Sequence, residues 1–234
     1  MSKSPSLPNG KGLAKEAVIV AVYNQKGGCG KSQTTMQLGA SLALRGYKTL
    51  VIDMDTQGTA TMWSGQASEE SPFPATVVSL AAQSKNMIGE MRKFADMYDF
   101  ILVDCRPALD DAATWAVLHV ADIGIIPAIP LLDNLWASIE AKEKGLSAKR
   151  DKNPDLKLFY LPSNVGRGKV YQYGIDTLRG DEEIPCFTST IATRSCFPES
   201  QYLGASVHAL GSRAKAAINE VEALTDEFLT HVTV

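Results

Sequence analysis

The chain has no apolar run of the roughly 18 residues that a membrane span needs, and past its first segment it shows no internal repeat and no low-complexity block. A bilayer-spanning helix and a repeat architecture are therefore excluded. Cysteine is scarce. Cys29, Cys105, Cys186 and Cys196 form no C-x-x-C pair and have no histidine at metal-ligand spacing. With no signal peptide either, they read as reduced thiols of a cytosolic protein. A strong charge of either sign is also missing: the formal net charge is -3. That argues against wholesale coating by nucleic acid but leaves room for a local basic patch. Residues 1–16, rich in Ser, Pro, Gly and Lys, read as a disordered leader without the Arg-rich amphipathic pattern of a transit peptide. What remains is ample for a core: 45% hydrophobic and 21% charged over 234 residues. This suits one large α/β domain, expected over 17–234.

Short apolar runs alternate with longer stretches of helical period. Ala17–Tyr23 is nearly all apolar, as a central parallel strand covered on both faces requires. Lys31–Leu44 follows with helical spacing and Gly46 as its stop. Strands are expected again at Thr49–Ile52, Phe100–Val103, Asp122–Pro127 and Leu156–Leu161. Helical segments are expected at Lys85–Met97, Leu135–Gly145 and Arg213–His231. This alternation predicts a mostly parallel twisted sheet flanked by helices on both faces.

Ligands in such a sheet gather beyond the carboxyl ends of the strands, and three motifs fall there. The first is Lys26-Gly27-Gly28-Cys29-Gly30-Lys31-Ser32, directly after the first strand. The glycines let the backbone curl and turn its N–H groups toward an anion. Lys31 can reach β- and γ-phosphates, Ser32 can hold Mg²⁺, and the following helix adds its positive end. A bland glycine turn has no need of GK[ST] opening a helix. The pattern is that of a P-loop, with Gln25 where the standard motif has glycine and an extra lysine at Lys26. The second motif, Asp53-Met54-Asp55-Thr56-Gln57, puts two carboxylates at a strand end, where they can orient a water and organise a metal shell; Asp53 reads alternatively as a cap for the next helix. The third, Phe100-Ile101-Leu102-Val103-Asp104, ends a buried strand on an acid that can hold Mg²⁺ directly or through water.

Together N-Q-K-G-G-C-G-K-S at 24–32, D-M-D-T-Q-G at 53–58 and I-L-V-D-C-R-P at 101–107 resemble the ParA/MinD family of P-loop ATPases with a deviant Walker A motif. The length and the absence of an N-terminal helix-turn-helix region look like the short, ParF-like partition proteins. The resemblance implies a homodimer that sandwiches two ATP molecules, with Lys26 reaching the partner's phosphates. It implies that Asp55 orients the attacking water and touches the metal shell, and that Asp104 is the Walker B acid. Gln33 then lies beside the nucleotide, in place of a common threonine. Arg194 and Phe197, in the stretch T-R-S-C-F-P-E-S, match a region near the base. Thr56 replaces a proline, and Arg106 replaces a small residue or proline.

Such proteins hydrolyse ATP to position cargo. The expectation is a cytoplasmic, nucleoid-associated dimer that binds DNA non-specifically when loaded with ATP and is released by a ParB-like or adaptor partner. The cargo would be plasmid or chromosomal DNA, or another body. Candidate DNA contacts are Arg167, Lys169, Arg213 and Lys215, with Lys149, Arg150 and Lys152 as a second cluster; each singly could be a solvated helix end. The rival is a MinD-like membrane-surface ATPase, disfavoured because the last helix carries Glu220, Glu222, Asp226 and Glu227 on its polar side. An iron–sulfur reductase would need a cysteine partner for Cys105 at another strand end, and none is visible.

Overall fold

The structure, a computed structural model, describes residues 17–83, 86–107 and 112–232. The leader expected at 1–16 lies outside them, as does Lys85. Six strands form one sheet: β1 (Val18–Val22), β2 (Thr49–Asp53), β3 (Thr76–Ser79), β4 (Phe100–Asp104), β5 (Ile123–Ala128) and β6 (Lys157–Pro162). Their order is β3-β2-β4-β1-β5-β6, and every pairing is parallel. Each strand must therefore cross back through a covering element. The covering helices are α1 (Lys31–Leu44), α2 (Thr59–Gly65), α3 (Met87–Arg92), α4 (Ala112–Leu118), α5 (Leu132–Asp151), α6 (Lys169–Arg179), α7 (Cys196–Tyr202) and α8 (Lys215–Val232).

Neighbouring residues of β1 serve opposite cores. Val20 and Val22 join α1, α2, α7 and α8 on one face, and Ala21 and Tyr23 join α3–α6 on the other. That division is why the strand reads as a continuous apolar run. α1 is buried along most of its length between the sheet and α8. It ends as expected at Gly46 (φ 92°), where the Tyr47 amide reaches back to Leu42 O.

Several expectations shift. The segment expected over Lys85–Met97 is helical only over Met87–Arg92, because the chain then tightens to three-residue bonds such as Phe94 N–H to Met91 O. The helix expected at Leu135–Gly145 runs from Leu132 to Asp151, its outer turns held by small contacts such as Ala148. Arg213 precedes the last helix, in a 3-10 segment broken at Gly211. The edge strand β3 and the helices α4, α6 and α7 were not expected; β3, α4 and α7 are short and set by packing, whereas α6 is an amphipathic helix whose period went unread.

Crowding between the sheet and α5 yields a test. A Cβ at Gly145 would sit 2.2 Å from the Tyr23 hydroxyl and 2.9 Å from the Leu158 methyls. Gly145→Ala is expected to cost about 1–3 kcal/mol in urea unfolding. Tyr23→Phe should recover part of it, because the Tyr23 hydroxyl is buried without a hydrogen-bond partner.

Candidate functional site

Register brings the motifs together. Val22 pairs with Asp104 and Asp104 with Asp53, so three strand ends stand in one row. The phosphate-loop segment leaves β1 one step beyond it. Gly28 (φ 74°) and Gly30 (φ 97°) are left-handed, a shape that bends the loop over the start of α1. Nothing lies within 4 Å of where a Cβ would stand on Gly27 or Gly28, so the loop is uncrowded there. The Cys29 side chain is buried, which leaves only its backbone to face a ligand. Lys31 is buried and donates to Lys26 O at 3.0 Å, parked on the loop's own carbonyl. Ser32 is half-buried at the helix start; Gln33, one residue on, faces Phe197 and α8.

Asp104 is the electrostatic centre. Its carboxylate is buried, and neither oxygen has a hydrogen-bond partner. Burial pushes its pKa up to about 7; the nearby Ser32 hydroxyl and then the Lys31 charge draw it back, while Asp53 and Asp55 add to the rise. Unmet bonding capacity at a strand end, beside an anion cradle, suits a cation.

The two acids after β2 separate. Asp53 is fully engaged: Oδ1 accepts from Asp55 N, and Oδ2 accepts from the amide and hydroxyl of Thr61. Its Oδ2 serves the first turn of α2, as the capping alternative for Asp53 has it, so the two acids have separate tasks. Asp55 is half-buried, with Oδ1 accepting from Gln57 N at 3.0 Å.

Residues that sequence reasoning missed brace the loop. Ser163 Oγ donates to Cys29 O, and Asn164, left-handed at φ 49°, donates from Nδ2 to Gly28 O at 3.1 Å. These bonds hold the Gly28 and Cys29 carbonyls toward the loop after β6. Asn24 Nδ2 donates to Pro127 O, and its Oδ1 accepts from Lys26 N. Lys26 Nζ pairs with Asp133 Oδ2 at 3.3 Å, and the ammonium holds the Asp133 carboxyl below its usual range. The Ser-Asn dipeptide after β6 was the available signal.

Two expected base contacts fare differently. Phe197 is buried in the core behind α1, so its ring cannot face a nucleotide; that expectation is corrected. Arg194 is partly exposed and bound to Glu220 Oε1 at 2.5 Å. The candidate DNA contacts Arg167, Lys169, Arg213 and Lys215 are all exposed, and Arg213 is also paired with Glu199 at 2.9 Å. Lys149, Arg150 and Lys152 stand at the far end of α5, about 30 Å along a helix of its 20 residues. They cannot join the first cluster. The acids of α8 are not a bare face: Glu220 holds Arg194, Glu222 and Asp226 hold Arg45, and Glu227 caps Thr188 and Ser189.

Comparison with known proteins places this geometry. Residues 20–223 match the family described as "CobQ/CobB/MinD/ParA nucleotide binding domain". The chain is 30% identical to "Maintenance of carboxysome distribution protein A" of Halothiobacillus neapolitanus, over 92% of this chain and 98% of that protein. It is 30% identical to "Chromosome partitioning protein ParA" of Myxococcus xanthus, over 73% of each. Its fold matches the ATP complex of Cyanothece McdA with a TM-score of 0.72 at 17% identity, over 90% of this chain and 97% of that one.

The raised Asp104 pKa has a signed consequence. In the ligand-free protein its proton is held more tightly than in the unfolded chain, so this group's contribution falls as pH rises from about 4 to 7. Asp104→Asn should stabilise the metal-free protein by about 4 kcal/mol at pH 8 and by less than half of that at pH 5. Calorimetric Tm values in chelator at the two pH values test this; equal shifts would remove the burial argument.

Proposed function

This chain belongs to the CobQ/CobB/MinD/ParA nucleotide-binding family, and on that premise we propose that it is an ATP-hydrolysing positioning protein. ATP with Mg²⁺ is the cofactor pair of the family. The observation that carries the reading is Asp104: a buried carboxylate with both oxygens unpartnered, one row below a phosphate loop. The residues present fit the pair. Backbone N–H groups of 27–32 and the Lys31 ammonium would hold the phosphates, while the Ser32 hydroxyl and Asp104 would hold the ion. When bound, the ion supplies positive charge against the phosphate oxygens. Asp55, unlike Asp53, retains a free carboxylate oxygen with which to orient a water. Lys26 is the cation we assign to the partner's phosphates in a nucleotide-loaded homodimer. Its present bond to exposed Asp133 is a solvent-screened surface pair, an easy one to surrender.

DNA is the proposed track. Arg167, Lys169 and Lys215 stand near the strand carboxyl ends, at the site's end of the molecule, and dimerisation would double them. The cargo is DNA to be segregated or another large body, and an adaptor or ParB-like partner would stimulate hydrolysis. The chain covers nearly all of a carboxysome distribution protein, which brings a non-DNA cargo fully into this proposal. A membrane-surface role is not favoured: α8 carries Lys215 as its one lysine and no arginine, and the described residues include no helix long and apolar enough to cross a membrane.

Two variants separate binding from hydrolysis. Lys31→Ala should weaken ATP affinity at least about 100-fold, whereas Asp55→Ala should keep affinity and lose most turnover. Calorimetry and phosphate release measure the two; normal ATP affinity in Lys31→Ala sinks the phosphate-loop assignment.

DNA binding should need ATP, ignore sequence and fall with salt. If about four of the dimer's doubled cations meet phosphates, log K should fall with log[salt] at a slope of roughly -3 to -4. Removing Arg167 and Lys169 together should flatten that slope, with basal hydrolysis kept. Filter binding with ATP and with ADP decides it; equal binding in both states rejects the switch.

A further inference from the structure

We propose that Arg106 is the positioning residue for Asp55, and that it supplies a restraint which proline at position 56 would otherwise provide. The inference rests on the reading of Asp55 as the group that orients the attacking water. Arg106 Nε donates to Met54 O at 2.6 Å, and its Nη2 donates to Ala81 O at 2.7 Å. On the opposite edge of the same Met54–Asp55 peptide, the Asp55 amide donates to Asp53 Oδ1 at 3.0 Å. A peptide unit is planar, so bonds on both of its edges leave that plane no rotation. Its orientation sets the direction in which the Asp55 Cα and side chain leave the backbone.

The anchor is itself fixed. Ala81 follows Leu80, whose amide donates to Asp53 O at 3.0 Å, and the Met54 amide donates to Asp104 O at 3.1 Å. Arg106 therefore ties together the loops that follow β2, β3 and β4, all beyond the carboxyl edge of the sheet. A guanidinium suits this task, because its rigid fork presents donors in two directions and never loses its charge. A lysine could satisfy one carbonyl of the pair.

Thr56 gives the clamp its purpose. A proline at 56 would confine Asp55 to extended backbone and remove one amide donor. Thr56 is exposed and imposes neither limit. The two departures, Thr56 and Arg106, thus act on the same residue from its two sides. One loosens the backbone after Asp55, and the other fixes the peptide before it.

A double-substitution cycle in the full-length chain tests the coupling, read by single-turnover hydrolysis, ATP affinity and hydrogen exchange over 54–58. Arg106→Ala should slow hydrolysis about tenfold or more and speed exchange, while ATP affinity stays within about twofold. Adding Thr56→Pro to Arg106→Ala should restore most of the rate. Arg106→Lys should fall between, and it carries the comparison if the alanine variant does not fold. An unchanged rate, a parallel loss of rate and affinity, or independent effects of the two substitutions would overturn the clamp. Asp55→Ala distinguishes the levels. If it hydrolyses as fast as the unaltered chain, the reading of Asp55 fails and the clamp falls with it; if it is slow while Arg106→Ala is fast, the clamp alone fails.

Discussion

Parallel register between three strands is the constraint on which the site depends. β1, β4 and β2 are held so that Val22, Asp104 and Asp53 share a row, and no loop could bring the phosphate segment and a buried acid together as reliably. Both faces of those strands are covered, so a one-residue slip would exchange the contents of the two cores. The apolar packing that fixes the register therefore also fixes the spacing between an anion cradle and its acid. Stability and chemistry meet in the same hydrogen-bond ladder.

The cradle is held from the far side of the sheet's centre. Ser163 and Asn164, at the end of β6, take the carbonyls of Cys29 and Gly28, and Ser163 is itself bonded to Ala128 O at the end of β5. The same stretch continues through Val165, which pairs with Ile191 and Thr193 beside Arg194. A ligand that shifts the phosphate loop would thus be felt in the 191–194 segment. Glu220 of α8 holds that segment through Ala192 N and Arg194.

What could be read from sequence was what local chemistry declares. Gly28, Gly30 and Lys31 announce an anion loop because few other tasks need that spacing, and the apolar run ending at Asp104 announces a strand end. The unread part lies in contacts between residues far apart in the chain. Asn164 to Gly28 spans 136 positions and Lys26 to Asp133 spans 107; no periodicity marks either. Asp53 and Asp55 look alike in sequence, and only the Thr61 amide, brought back by α2, assigns one of them to capping. Phe197 misled because a residue in a ligand-adjacent segment can still turn its side chain into the core.

How acids are satisfied then separates structure from function more sharply than their number does. Asp53, Asp122, Asp99, Glu222 and Glu227 all accept hydrogen bonds from partners already in place, and each is explained by the fold it stabilises. Among the described residues, the only carboxylate atoms that are buried and without a partner belong to Asp104. An unpaired buried carboxylate costs several kcal/mol unless it is neutralised, so selection for stability alone would have replaced it. That cost is bearable in a protein whose working state brings a cation to the site. On the proposed reading, nucleotide loading with its metal would supply that cation. Such an arrangement lets ATP binding stabilise one conformation at the strand ends, which is the property a positioning switch requires.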